Sequence, residues 1–224
     1  MTESEAIQTR HSVRKYLDKP IEAEKIEAIQ KCIDLCNREG GVHFQLIANE
    51  PEAFSSIMAK YGKFEGVNNY IAIIAPKGND GSVIAGYYGE KLVLLIQTLG
   101  MNTCWVGGTF KKVRDAYAIG TGEELKCVIS LGYGVTQGIQ HRQKKTFADV
   151  AQAQEPVPEW FKKGVESALL APTAVNQQKF RFILHDDNRV EAIAKFSFIG
   201  YSYLDLGIVK YHFEVGAGNN FTWK

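Results

Sequence analysis

The chain has 224 residues, with 26 Lys+Arg against 25 Asp+Glu, a formal net charge of +1, and 45% hydrophobic and 23% charged residues. Such a chain is long enough to bury a core without disulfide or metal staples. Its balanced charge argues against a nucleic-acid or membrane-surface protein, and no apolar run has the length of a membrane-spanning helix.

Residues 1–10 are polar and mixed in charge, unlike a secretory leader. Residues 21–37 predict an amphipathic helix, because Ile26, Ile29, Ile33 and Cys36 recur at spacings of three and four, and Gly40 and Gly41 end it. Cys32 and Cys36 could share one face of that helix, but no His or Cys pair of matching spacing stands elsewhere. No metal site is expected; buried thiols in a reducing, cytoplasmic compartment are. Val42, Phe44 and Leu46 alternate with His43 and Gln45 as a strand. Pro51 opens a short helix to about Tyr61, and the apolar run 70–75 predicts a central strand buried on both faces. Residues 82–99 predict a core helix with a broad buried face built on Leu92, Leu95, Ile96 and Leu99.

After Trp105-Val-Gly-Gly-Thr109, residues 111–118 predict a short helix and 126–133 a strand. Residues 137–145 form a basic connector. Pro156 and Pro158 precede a helix to Leu170, a polar loop spans 171–178, and Phe180, Phe182 and Leu184 alternate as a strand. Residues 190–216 predict a helix, broken near Gly200, and the last residues an irregular tail. Helices and strands mix throughout without a linker, which predicts one α+β or α/β domain. A helix–loop–strand pattern at 22–48 is echoed at 158–185.

Four places could carry chemistry. Arg10-His-Ser-Val-Arg14 concentrates two guanidiniums and a hydroxyl; if extended, Arg10, Ser12 and Arg14 point one way and suit a phosphate. A solvated basic turn is the alternative. His141-Arg-Gln-Lys-Lys145 is a second basic group, either part of the same phosphate site or a surface connector. Gly107 and Gly108, beside Trp105, allow a flat ring to approach the backbone or simply make a tight turn. Thr173, Asn176 and Gln178 offer hydroxyl and amide groups to a heterocycle edge, or cap their own loop. Dinucleotide, P-loop and nucleophile-elbow motifs are absent from the sequence. His43, His185 and His212 read as structural or surface residues.

As a set, Arg10-His-Ser-Val-Arg-Lys-Tyr16, Leu99-Gly-Met-Asn-Thr-Cys-Trp-Val-Gly-Gly108, Leu131-Gly-Tyr-Gly134 with Arg142-Gln-Lys-Lys145, and Ala171-Pro-Thr-Ala-Val-Asn-Gln-Gln178 resemble the nitroreductase family of FMN-dependent oxidoreductases. In ordinary members the last of these loops follows the first helix. Here that place holds Asn37-Arg-Glu-Gly-Gly41, and the loop lies near the C-terminus. The chain therefore resembles the variant group with a second helix–loop–strand copy. The resemblance implies a single domain over 1–224, with a core over 1–150 and a pseudo-repeat over 151–224. The implied fold is α+β in three layers, a mostly antiparallel central sheet flanked by helices.

The resemblance also implies the cofactor, FMN, and the electron donor, NAD(P)H, with a nitroaromatic, a quinone or another oxidised small molecule as acceptor. Arg10, His11 and Ser12 match positions at the FMN phosphate and ribityl chain, and Arg14 the cation near the pyrimidine edge. Val106, Gly107 and Gly108 match the segment at flavin N5. Arg142 and Lys144 match the basic pair on the phosphate; Pro172, Thr173 and Asn176 match the loop packed on the ring. No side chain is implied as catalyst, since the flavin carries the chemistry. Neither nucleic acid nor membrane is expected as a partner. A homodimer is implied, with a monomer completed by its own second copy as the alternative. The rival functions are a flavin or nucleotide carrier or sensor, and dehydrogenation, dehalogenation or flavin breakdown on the same scaffold.

Overall fold

The computed structural model describes residues 1–139 and 144–224. Strand β2 (Tyr70–Pro76) is the apolar run predicted as central, and Tyr70 through Ala75 are all buried. It pairs antiparallel with β1 (Gln45–Ile47) and β4 (Glu123–Gly132), and β3 (Asn102–Val106) closes the order β1-β2-β4-β3. Strand alternation divides β2 between two cores. Ile71, Ile73 and Ala75 meet α2 (Ala23–Gly40) and α4 (Asn79–Thr98) through Ile29, Ile33, Leu92 and Ile96. Tyr70, Ala72 and Ile74 meet Val13, Tyr16, Phe54 and Phe64 on the other face.

A second four-stranded sheet has the order β5-β6-β7-β8. Its strands are β5 (Ala151–Gln152), β6 (Phe180–Leu184), β7 (Arg189–Ala194) and β8 (Thr222–Trp223). Phe180 and Phe182 face α6 (Glu159–Leu169) and α7 (Ser202–Ala217), where Phe161 and Phe213 complete an aromatic core. The Phe182 and Phe213 rings stack with centroids 4.6 Å apart. Each such buried ring contributes about 1.5–3 kcal/mol relative to exposure, so this half holds its own core. The halves meet where α4 crosses α7 at Gly86 and Gly207, with backbone close to backbone. Both helices are buried on most sides, hence apolar nearly all round.

The antiparallel sheet and its flanking helices make the fold α+β, as expected, and the helix–loop–strand order does occur twice. Several elements differ. The first strand starts at Gln45, because the Asn37 side chain occupies both backbone groups of Phe44, at 2.8 and 3.0 Å. The helix expected from Pro51 is a short 3-10 turn followed by α3 (Ile57–Tyr61), which Ser56 caps by accepting the Ala59 N–H. Residues 111–118 are not helical. Asp115 is left-handed, and Phe110, Val113 and Tyr117 pack onto the Phe54 cluster from irregular chain. The long helix expected at 190–216 is β7 and then α7; Val190, Ala192 and Ala194 lie opposite Leu184, Phe182 and Phe180. Helices α1 (Glu3–Thr9) and α5 (Phe147–Val150), and strands β3, β5 and β8, had no forerunner in the sequence reading. No helix among the described residues is long and apolar enough to cross a membrane.

Candidate functional site

After α1 the chain runs extended beside β3. Ser12 bridges Thr103, and the Val13 N–H donates to the Thr103 carbonyl at 3.0 Å. The Tyr16 hydroxyl donates to the Val13 carbonyl at 2.7 Å, pinning the segment. Alternation then buries Val13 in the core, while Arg10, Ser12 and Arg14 line one cavity of about 1110 Å³. That is just above the usual range for small-molecule clefts, about 300–1,000 Å³.

The cavity belongs to both halves. One wall carries Trp105, Val106, Gly107 and Gly108, at the exit of β3. The opposite wall is the loop after α6, with Pro172, Thr173 and Asn176, backed by α7. Val175, Asn176 and Gln178 in that loop are left-handed, at φ 47°, 53° and 46°. A β-branched residue there is strained, and it persists because its surroundings over-determine it. Asp205 accepts the Ala174 N–H at 3.0 Å and the Gln177 amide at 2.7 Å. Gln177 also bonds Gly200 and Ser197, tying in the next loop. Gln178 turns inward: its side chain donates to the Leu169 carbonyl and its N–H donates to the Thr173 hydroxyl. Gln178 therefore anchors the loop, although its side-chain amide oxygen stays buried with no hydrogen-bond partner among the described residues. The Lys144 ammonium donates to the Val175 carbonyl at 3.4 Å, which brings Lys144 to the same rim.

Arg10 is the most telling residue. It is 5% exposed, yet its Nε and Nη1 have no hydrogen-bond partner among the described residues. Its nearest carboxylate, Glu90, stands 3.9 Å away, beyond hydrogen-bond reach. A nearly buried guanidinium on a residue that lines the cavity, with no carboxylate in hydrogen-bond reach, suits an anion there. Arg14 is exposed, with its guanidinium 5.9 Å above the Phe64 ring. A Cβ on Gly107 would lie 2.6 Å from the far end of the Tyr201 ring, which would have to shift; at Gly108 a Cβ would meet nothing within 4 Å.

Every described residue that the resemblance assigns to the cofactor thus lines this one cavity: Arg10, His11, Ser12, Arg14, Val106, Gly107, Gly108, Lys144, Pro172, Thr173 and Asn176; Lys145 of the second basic group does not. Arg142 lies outside the described residues. Sequence reasoning missed Glu90, Tyr201 and Asp205. Glu90 left a trace, a carboxylate within an apolar helix; the other two left none. His212, read as a structural or surface residue, is fully buried against Glu90.

Burial pushes the Asp205 carboxyl up from 3.8 to about 6, against the pull of the Gln177 amide and the Ala174 N–H. The folded chain therefore binds this proton more tightly than the unfolded chain. Stability is greatest below the unfolded value and falls as pH rises toward 6, by on the order of 3 kcal/mol from this group alone. Asp205→Asn should remove that decline, read as the difference between the two proteins' urea midpoints at pH 4.5 and 7. Identical pH slopes would refute the assignment.

With this geometry in hand, the comparisons are specific. A family model described as "Putative TM nitroreductase" matches residues 3–217. Among solved structures, a putative nitroreductase from Thermotoga maritima MSB8 aligns over 96% of this chain and 83% of its own, with TM-score 0.67 and 23% identity. A putative nitroreductase in complex with FMN from Desulfovibrio desulfuricans aligns over 70% of this chain and 99% of its own, with TM-score 0.54 and 16% identity. An FMN-dependent nitroreductase from Clostridium difficile R20291 aligns over 65% and 95%, with TM-score 0.51 and 19% identity. No curated protein matches the chain. At these identities the solved structures speak for the fold, and the family model speaks for descent over nearly the whole length: the chain belongs to the nitroreductase family.

Proposed function

We propose that the chain is an FMN-dependent oxidoreductase that takes a hydride from NADH or NADPH and passes it to an oxidised small molecule such as a nitroaromatic or a quinone. The nearly buried Arg10 guanidinium, which has no carboxylate within hydrogen-bond distance among the described residues, carries this reading. It faces the cavity that also holds each described residue the family motifs nominate. When bound, FMN supplies the acceptance and return of the hydride. Arg10, Ser12 and Lys144 hold the phosphate and ribityl chain, with His11 beside them. The Arg14 cation stabilises negative charge on the ring. Val106, Gly107 and Gly108 let the ring approach the backbone, and Pro172, Thr173 and Asn176 pack against it.

We propose completion in cis, the alternative to the homodimer the resemblance implies: Arg10 and Gly107 of the first half and Thr173 of the second line one cavity within one chain, which supports a monomer as the unit. The four cysteines are free thiols, which suits a reducing cytoplasm.

Anaerobic titration tests the reading. Protein purified or reconstituted with FMN should be yellow and should bleach on addition of NADH or NADPH. Protein that stays oxidised would be a carrier or sensor. Colourless protein that cannot take up FMN would overturn the cofactor assignment. Gel filtration of the reconstituted protein should give one FMN per monomer-sized species.

A further inference from the structure

Behind the Arg10 wall lies a polar group that the proposed chemistry does not use. Glu90 of α4 and His212 of α7 are both fully buried, and His212 Nε2 stands 2.8 Å from Glu90 Oε1. The other His212 nitrogen, Nδ1, lies 3.0 Å from the Ser167 carbonyl oxygen. A carbonyl can only accept, so Nδ1 carries a hydrogen. The second carboxylate oxygen, Oε2, accepts the Trp105 indole N–H at 2.8 Å. If neither Nε2 nor Oε1 held a proton, two lone pairs would confront each other at contact distance, away from water. That arrangement is costly. One proton must lie between them.

We propose that Glu90 and His212 share a single proton and act as a neutral positioning pair, which fixes Trp105 on the cavity wall and leaves the Arg10 charge to an anionic group in the cavity. On whichever partner the proton resides, the pair sums to zero. The distances agree with this division of labour. Both carboxylate oxygens are engaged, by α7 and by β3, while the Arg10 Nε is held off at 3.9 Å with no hydrogen-bond partner among the described residues. A bare Glu90 carboxylate would neutralise Arg10 from behind and weaken its attraction for a phosphate. The pair also joins the two halves, because α4 and β3 belong to the first and α7 to the second. Identifying the anion as the FMN phosphate rests on the function proposed above; the proton count does not.

The charge logic separates this from a merely structural role. Glu90→Gln reproduces the protonated carboxyl: its carbonyl accepts from Trp105 and its amide donates to His212 Nε2. His212→Gln brings no proton and leaves Glu90 ionised beside Arg10. The readout is the ratio of FMN to riboflavin affinity, which isolates the phosphate. Glu90→Gln should hold that ratio within about twofold, and His212→Gln should lower it by about tenfold. The double variant should recover it. A Glu90→Gln loss equal to that of His212→Gln, or an unchanged ratio in His212→Gln, would overturn the proposal. If a variant fails to fold, the wild type decides through the ¹⁵N signals of His212 at neutral pH. A hydrogen at Nδ1 together with an Nε2 that donates to or accepts from Glu90 through one shared proton supports the pair, and an Nε2 that neither carries a proton nor accepts a hydrogen bond refutes it. If neither flavin binds the wild type, the cofactor reading fails, while the His212 signals still settle the pair.

Discussion

Arg10→Ala should lose FMN about 10- to 150-fold more readily than the wild type, while riboflavin affinity changes little. Arg10 lines the cavity and is 5% exposed, and its nearest carboxylate among the described residues stands 3.9 Å away, so its guanidinium charge is left for a ligand phosphate. Charge-assisted hydrogen bonds of this kind are worth about 1.5–3 kcal/mol, and each 1.4 kcal/mol is tenfold in affinity. Arg10→Lys should fall between, since an ammonium supplies the charge without the planar fork. Fluorescence titration of the apoprotein with both flavins measures the effect. Equal losses for FMN and riboflavin would show that Arg10 shapes the cavity rather than binding phosphate. Stability should change little, because Glu90 keeps its partners in Trp105 and His212.

Much of this site was legible in the sequence because its parts are local. The alternation of Arg10, Ser12 and Arg14 around Val13 needs only extended backbone, and β3 supplies it by pairing alongside. The loop around Thr173 and Asn176 announces itself as polar chain between two apolar elements. What escaped depends on residues far apart in the chain. Glu90 and His212 are separated by 122 positions and meet only when α4 crosses α7. Asp205 looks like a surface carboxylate until the loop folds over it and buries it.

The errors in the fold have equally physical causes. Phe110, Val113 and Tyr117 mimic a helical repeat, but they serve as irregular packing on Phe54, with Asp115 turned left-handed. In β7 the inward residues are Val190, Ala192 and Ala194, whose small side chains give weak alternation. The pairing with Phe180 and Phe182 decides the matter, and that is tertiary. Asn37 shortens β1 by a contact that no periodicity encodes.

Gly207→Ala should be among the most damaging single methyl additions in the protein. At the α4–α7 crossing, a Cβ on Gly207 would overlap the Val83 carbonyl oxygen and lie 2.6 Å from the Tyr87 nitrogen. The same crossing is close from the other side, where a Cβ on Gly86 would overlap the Leu204 carbonyl oxygen and lie 3.0 Å from the Ile208 nitrogen. The obstacles are backbone atoms, which cannot rotate aside, so one helix must move. Overpacking of this kind costs about 1–3 kcal/mol and at times more. Intrinsic helix propensity works the other way, favouring Ala over Gly by about 1 kcal/mol in a helix interior. A raised urea midpoint would therefore mean that the crossing yields, and a lowered one that it is rigid. We expect a lowered midpoint together with weaker FMN retention, because α7 carries Asp205 and the wall behind Thr173 while α4 carries Glu90. Gly108→Ala is the control: nothing lies within 4 Å of its Cβ, so stability should hold. Any loss of FMN there would report the approach of the ring to the backbone, apart from the packing of the two halves.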